Sequence, residues 1–202
     1  VRIVLDDHPL TDAPTFASGL RLAMAHASRQ GRIVVELNLD GQPVHDALLT
    51  NPPDRNLGDE LRAHSADPKA LVLQTLHQAA LLLADLAPRH SEAGRLIQQG
   101  KTEEAVPKLE SIIASWQSTQ QAVQQSVQLL SLNVADIAVA DARGQTQTFA
   151  QIVSSLGGRL AELARTFQAR DWSAVADVLV YDLGDDATRW QRLIGAIIQR
   201  IA

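Results

Sequence analysis

Val1, Ile3 and Leu5 alternate with Arg2 and Asp6, the two-residue period of a short strand with one buried face. Phe16, Leu20, Ala23, Met24 and Ala27 then recur at helical spacing. Asp12 is placed to cap that helix with Pro14 in its first turn, and Gly31 stands just past its end. From Ile33 to Leu39 every odd position is apolar and the even positions turn polar, which predicts a strand with its odd side chains inward. Asp40-Gly41 suits a two-residue hairpin turn, and Pro43 confines the returning segment to a sheet edge or ends it. Asn51-Pro52-Pro53-Asp54 reads as a loop, and Glu60 to Ser65 as one further strand with Leu61 and Ala63 on one face. Residues 1–66 are thus expected to form a small sheet carrying one helix.

After Asp67-Pro68 the period becomes helical and stays so. Val72, Leu76, Ala79, Leu83 and Leu86 form one stripe, which Pro88 kinks or ends. A segment through Leu96 and Ile97 follows, and Gly100 punctuates it. Thr102 is expected to cap the next helix, with Glu103 and Glu104 well placed near its N-terminal dipole. Its stripe runs Ala105, Leu109, Ile112, Ile113, Trp116, Val123, Val127 and Leu130. Asp141-Ala142-Arg143-Gly144 reads as a turn, and a helix then carries Phe149, Ile152, Val153, Leu156, Leu160, Leu163 and Phe167. Asp171 caps a last helix holding Val175, Leu179, Leu183, Trp190, Ile194, Ile197 and Ile201, with Gly184 as a point where it breaks in two. Two antiparallel hairpins with one-sided apolar faces bury them against each other, so residues 67–202 are expected to be a helical bundle. A shift of about 70 residues lays Leu82, Leu83 and Leu86 on Ile152, Val153 and Leu156. A duplication leaves that match, and so do two amphipathic hairpins of equal length. The fold class expected is α+β: a strand-helix-strand head, then an antiparallel bundle of two long helical hairpins.

Composition narrows the functions this architecture serves. At 46% hydrophobic but only 3% aromatic, the core must be built from Leu, Ile, Val and Ala. The net charge of -5 and the scattered basic residues argue against a nucleic-acid surface. The chain has no cysteine, which excludes disulfides and thiolate metal sites. Val1–Leu5 is too short for the apolar core of a signal peptide, so a cytoplasmic setting is expected. The most apolar stretch, Ala70 to Ala87, is interrupted by Gln74, Thr75, His77, Gln78 and Asp85, and reads as a buried helix rather than a membrane span.

Few residues suggest chemistry. Asp6-Asp7-His8-Pro9 after a strand resembles the opening of a response-regulator receiver domain, where an acidic pair binds Mg²⁺ beside a phosphorylated Asp. That family needs an Asp ending a later strand, and Asp40 comes too soon and sits in a turn. The six histidines include no i, i+2 or i, i+4 pair, though His8, His45 and His64 could meet at strand ends. Asp171, Asp177, Tyr181 and Asp182 cluster along the last helix without the Glu-x-x-His motif of di-metal bundles. Gly157-Gly158 within a helical pattern implies a break or a close approach, of which close packing in the bundle is the expectation. The Gln-rich run from Gln117 to Gln128 is a solvated face or an adaptable contact surface. No phosphate loop, dinucleotide fingerprint, nucleophile elbow or zincin motif occurs, so no catalytic, cofactor or metal residue is assigned.

The stretch Ile97-Gln98-Gln99-Gly100-Lys101-Thr102-Glu103-Glu104-Ala105 before an amphipathic helix, and the later Arg170-Asp171-Trp172, resemble the flagellin export chaperones, which are small antiparallel helical bundles. That family has no α+β head, and its Tyr-containing N-terminal segment is missing here. The missing site chemistry, the Leu-rich hairpins and the Gln-rich helix lead to the expectation of a non-enzymatic interaction protein, an adaptor, chaperone or scaffold with a protein partner or a second copy bound to a helical surface. The competing expectation is a small-molecule binder or enzyme with its site between head and bundle. Neither nucleic acid nor a membrane is an expected partner.

Overall fold

The computed structural model describes residues 1–140 and 144–202. The chain is an α+β protein of two compact units, Val1–Leu71 and Val72–Ala202.

The first unit is built on a five-stranded sheet. β1 (Arg2–Leu5) pairs antiparallel with β2 (His8–Pro9) and parallel with β5 (Glu60–Ala66); β5 pairs antiparallel with β3 (Ile33–Leu39), and β3 with the edge strand β4 (Gln42–Pro43). β5 therefore holds the centre of the sheet, and its Leu61 and Ala63 are fully buried with Ile3, Phe16 and Ala23. α1 (Phe16–Arg29) covers this core, and a short α2 (Asp46–Thr50) follows β4. α1 approaches β1 so closely that a Cβ at Gly19 would fall 2.5 Å from Ile3 Cδ1.

Two sequence expectations for this unit need correction. The cap of α1 is Thr15, not Asp12. Ala13 N–H bonds to Val1 C=O at 2.9 Å and holds the chain alongside β1, so the helix starts later. Thr15 Oγ1 accepts from Ser18 N–H at 3.2 Å while Ser18 Oγ accepts from Thr15 N–H at 3.1 Å, a reciprocal capping box. In β3 the register shifts between Val34 and Glu36, so the buried set is not the odd positions. Val34, Leu37 and Leu39 pack on the core and Val35 is exposed, because a bulge inserts one residue and reverses the alternation. The Asp40-Gly41 turn has φ of +48° and +78°, the primed geometry that suits a two-residue hairpin. The Asp40 carboxylate ties it to β5 by accepting the Asp59 and Glu60 N–H groups at 3.0 and 2.8 Å.

α3 (Pro68–Gln98) begins in the last residues of the first unit and runs into the second. α4 (Thr102–Leu129) returns antiparallel to it. A β-hairpin of β6 (Ala138–Ala140) and β7 (Thr146–Thr148) leads to α5 (Phe149–Gln168). α6 (Trp172–Asp177), one π-helical turn over Val178–Asp182, and α7 (Leu183–Ile201) complete the second hairpin. The buried positions of α3 include 72, 76, 79, 83, 86, 90, 93 and 97, joined near its C-terminal end by Gly94 and Leu96, and those of α4 are 105, 109, 112, 116, 119, 123 and 126. The series from 72 to 97 and from 105 to 126 both advance in alternating steps of four and three, the 3.5-residue period that keeps a straight seam between two coiled helices. Lys108–Glu92 at 3.0 Å and Arg89–Ser111 at 2.6 Å flank that seam.

Pro88 does not end α3. Leu83, Leu86, His90 and Ala93 on either side of it are all buried in the seam, and this packing outweighs the roughly 3 kcal/mol an interior proline costs. Thr102 is not a cap. Lys101 holds that position, its N–H committed to Leu96 C=O at 2.9 Å, and no side chain closes the first turn. At the far end of α4 the seam takes Ser126 rather than Val127, because a seven-residue repeat carries Thr119 to Ser126, while Leu130 at the C-cap packs partly buried on the core. Gly184 does not break the last helix. The irregularity is the π turn before it, where Leu183 N–H reaches back to Val178 C=O. β6 and β7 were not foreseen, since two three-residue strands of Ala, Val, Thr and Gln carry almost no periodic signal. The turn expected over Asp141, Ala142 and Arg143 lies outside the described residues.

Candidate functional site

The acidic pair of the head is structural. Asp6 and Asp7 have φ of +48° and +63° and form the two-residue turn between β1 and β2. Asp6 accepts Ser65 N–H at 2.7 Å and Ser65 O–H at 2.5 Å, and Arg32 lies 3.8 Å away. These bonds from Ser65, with Arg32 adding to them, hold its carboxyl below the usual carboxylate range. Asp7 pairs with Arg62 at 2.7 Å. A receiver domain needs successive parallel strands, whereas among the described residues only β1 and β5 pair parallel. His8 Nδ1 lies 2.7 Å from Asp6 C=O, His45 precedes α2 without a side-chain cap bond, and His64 lies opposite Glu36 on the sheet. Among the described residues, no three His, Asp or Glu side chains are grouped to hold a metal.

In the second hairpin Asp171 caps α6, accepting Ala174 N–H at 3.1 Å. Asp182 pairs with Arg159 at 3.2 Å, while Asp177 and Tyr181 face solvent. Gly157 and Gly158 neither break α5 nor pack closely. A Cβ at either would meet nothing within 4 Å, so the expected close packing is absent. Five of the six glutamines between Gln117 and Gln128 are exposed.

Two buried ionisable groups, His90 and Asp186, sit within apolar stripes that gave no sign of them in the sequence. His90 occupies the α3 seam at 1% exposure. Trp116 Nε1–H donates to its Nε2 at 3.2 Å, which leaves the ring proton on Nδ1, without a partner among the described residues. Burial, and secondarily Arg89, lower its pKa to about 4. Trp190 meets Trp116 edge to face at 6.2 Å, so Trp116 joins the two hairpins. Asp186 on α7 is 2% exposed, bonded to Arg189, with Arg159 4.0 Å from its other oxygen. Burial raises its pKa, although Arg189 and Arg159 oppose the shift.

The feature best suited to function is a surface groove of about 180 Å³ between the start of α4 and the end of α5. Val106, Leu109 and Ile113 form one wall, and Leu163, Ala164 and Phe167 the other. Glu110 and Gln168 supply its polar groups. Phe167 is 36% exposed and held in place by an edge-to-face contact with Trp172 at 5.6 Å. The groove lies at the end of the bundle where both hairpins turn, because residues 106–113 follow the α3–α4 turn and 163–168 precede the α5–α6 turn. Its lining is apolar and its one carboxylate stands alone, which suits binding rather than chemistry. α3 is the one helix among the described residues long and apolar enough to cross a membrane by length and composition. Only 28% of its most apolar window is buried, so the expected burial of this helix holds for its seam alone.

Residues 74–193, more than half of the chain, match a family described as a domain of unknown function, DUF8042. No curated protein and no solved structure matches the chain.

Proposed function

The chain belongs to the DUF8042 family across most of its helical body, and we propose that this body is a non-enzymatic protein-interaction module, an adaptor, chaperone or scaffold of the cytoplasm. The observation that carries the proposal is the apolar groove between α4 and α5, with the aromatic ring of Phe167 held half in solvent at its edge. Its size suits one or two aliphatic or aromatic side chains of a partner helix, the mode in which an amphipathic helix lays its anchors into a groove. Glu110 favours a partner with a basic residue next to those anchors. The resemblance to flagellin export chaperones supports the same reading. The residues that carry it, Ile97 to Ala105 and Arg170 to Trp172, form the two turns that flank the groove.

The test is co-purification from native extract with wild type and with the double variant Ile113→Glu, Phe167→Glu, partners being identified by mass spectrometry. A partner retained by wild type and lost by the variant, with unchanged circular dichroism, is the expected result. Identical partner sets for the two proteins exclude the groove.

A further inference from the structure

We propose that a second copy of this chain docks on the α3–α4 hairpin, on the half that lies away from its turn, in an isologous dimer. Residues 70–84 of α3 and 111–129 of α4 include no Asp, Glu, Lys or Arg, although 20% of the chain is charged. The two stretches lie side by side, because the helices run antiparallel from the turn at Gly100. A hollow of about 330 Å³ joins Gln78 and Leu82 of α3 to Ser118 and Ala122 of α4. Charged side chains belong on a solvated helix surface. Their loss from two adjacent helices is what the core of a protein interface shows.

Burial does not account for the missing charge. Leu81 is 72% exposed, the most of any large apolar side chain among the described residues, and Leu129 is exposed as well. Gln74, Gln78, Gln121 and Gln125 all face solvent. Helical spacing puts Gln74, Gln78 and Leu81 on one stripe of α3, and Ser118, Ala122, Gln125 and Leu129 on one stripe of α4. The two stripes border the hollow from either side. His77, the one ionisable side chain in these stretches, has its Nδ1 2.6 Å from Leu73 C=O. Toward the turn the patch ends at Asp85 and Arg89, 3.6 Å apart, with Arg89 also donating to Ser111 Oγ at 2.6 Å. Charges already paired within the hairpin thus form its rim.

Two features favour a second copy over an unlike partner. In an isologous contact the residues near the two-fold axis meet their own counterparts, so a charge there faces its like. A patch without charge meets itself free of that repulsion, and each Gln amide, both donor and acceptor, can pair with the same group of the other copy. A knob and a hole also stand next to each other. Leu81 protrudes beside Gln78 and Leu82, which line the hollow. An axis close to these residues seats Leu81 of each copy in the hollow of the other, giving the same contact twice. Fifteen helical residues span about 22 Å, and two packed helices about 20 Å, so the patch buries about 600 Å² per copy, the lower end for a specific dimer. The patch shares no residue with the α4–α5 groove.

The test is sedimentation equilibrium of the full chain over a range of concentrations. A dimer with a Kd of about 10 μM is expected. Leu81→Glu is expected to weaken it about a hundredfold, with circular dichroism and urea midpoint unchanged because the side chain is exposed. Gln78→Glu and Gln78→Lys are each expected to weaken it about tenfold, and an equimolar mixture of the two to recover the dimer, since unlike charges then meet across the axis. The variant Ile113→Glu, Phe167→Glu is expected to dimerise like wild type, so this surface and the groove fail or stand separately. A wild-type protein still monomeric at about 1 mM overturns the dimer. A dimer indifferent to Leu81→Glu places the interface elsewhere, and no recovery in the Gln78 mixture overturns the isologous arrangement. A monomer that sediments with phosphatidylcholine vesicles, and loses them in Leu81→Glu, assigns this face to a membrane instead.

Discussion

Gly100, at φ +74°, turns the chain between α3 and α4, and Arg170, at φ +55°, turns it between α5 and α6. The hydrogen bonds are the same. Lys101 N–H reaches Leu96 C=O in one and Asp171 N–H reaches Thr166 C=O in the other, with Gly100 and Arg170 N–H bonded to Ile97 and Phe167 C=O. The two turns lie about 70 residues apart, at the offset at which the stripes superimpose. Beyond the turns the hairpins diverge. α3 and α4 keep an unbroken four-three seam, whereas the π turn between α6 and α7 inserts a residue and resets the register. That turn pushes Tyr181 to 68% exposure and sets Val180 against Gly94, where a Cβ would fall 2.5 Å from Val180 Cγ2. A local turn tolerates different residues because its bonds are between backbone groups. A seam does not, because every position answers to a partner across it.

Trp116 ties the two hairpins together, since it bonds His90 in one and packs on Trp190 in the other. Trp116→Ala is expected to cost about 3–5 kcal/mol in urea unfolding, with both hairpins lost in one transition. Two resolved transitions would show that the hairpins fold independently.

Acid separates the hairpins by sign. His90 has a folded value near 4 against 6.5 for free imidazole, so the unfolded chain takes the proton first. Stability is full above pH 6.5 and falls as the pH drops toward 4, by about 3 kcal/mol. His90→Gln keeps an acceptor for Trp116 and is expected to flatten that window in urea titrations run at several pH values. Asp186 acts the other way. Its raised folded pKa makes its contribution largest below the ordinary carboxylate value of 3.8, and it is lost as pH rises through the folded value. A His90→Gln protein with an unchanged acid slope would place the acid sensitivity elsewhere.

Exchanging the turn residues probes the feature the hairpins share. Gly100→Arg puts a side chain into the left-handed region and is expected to cost about 1–2 kcal/mol, while Arg170→Gly is expected to recover up to about 1 kcal/mol. Both are read from the urea midpoint at constant slope. The smallest effect is expected in α5. Gly157→Ala and Gly158→Ala add a methyl group to open space and are each expected to stabilise by up to about 1 kcal/mol, seen as a raised melting temperature.

The stripes on α3, α4 and α5 and the primed turn at Asp40-Gly41 could be read from the chain because each depends on neighbours within a few residues. So could the strand at Glu60 to Ser65, though not its central place in the sheet, which needs β1 and β3 from distant parts of the chain. Packing alone carried α3 through Pro88, buried His90 and Asp186 in apolar stripes, and placed Thr15 rather than Asp12 at the cap of α1. The α4–α5 groove was equally illegible. It is assembled from two segments some fifty positions apart, and no local period records which distant side chains meet. Near neighbours dictate the elements of this protein, while its concave surfaces arise only where those elements pack.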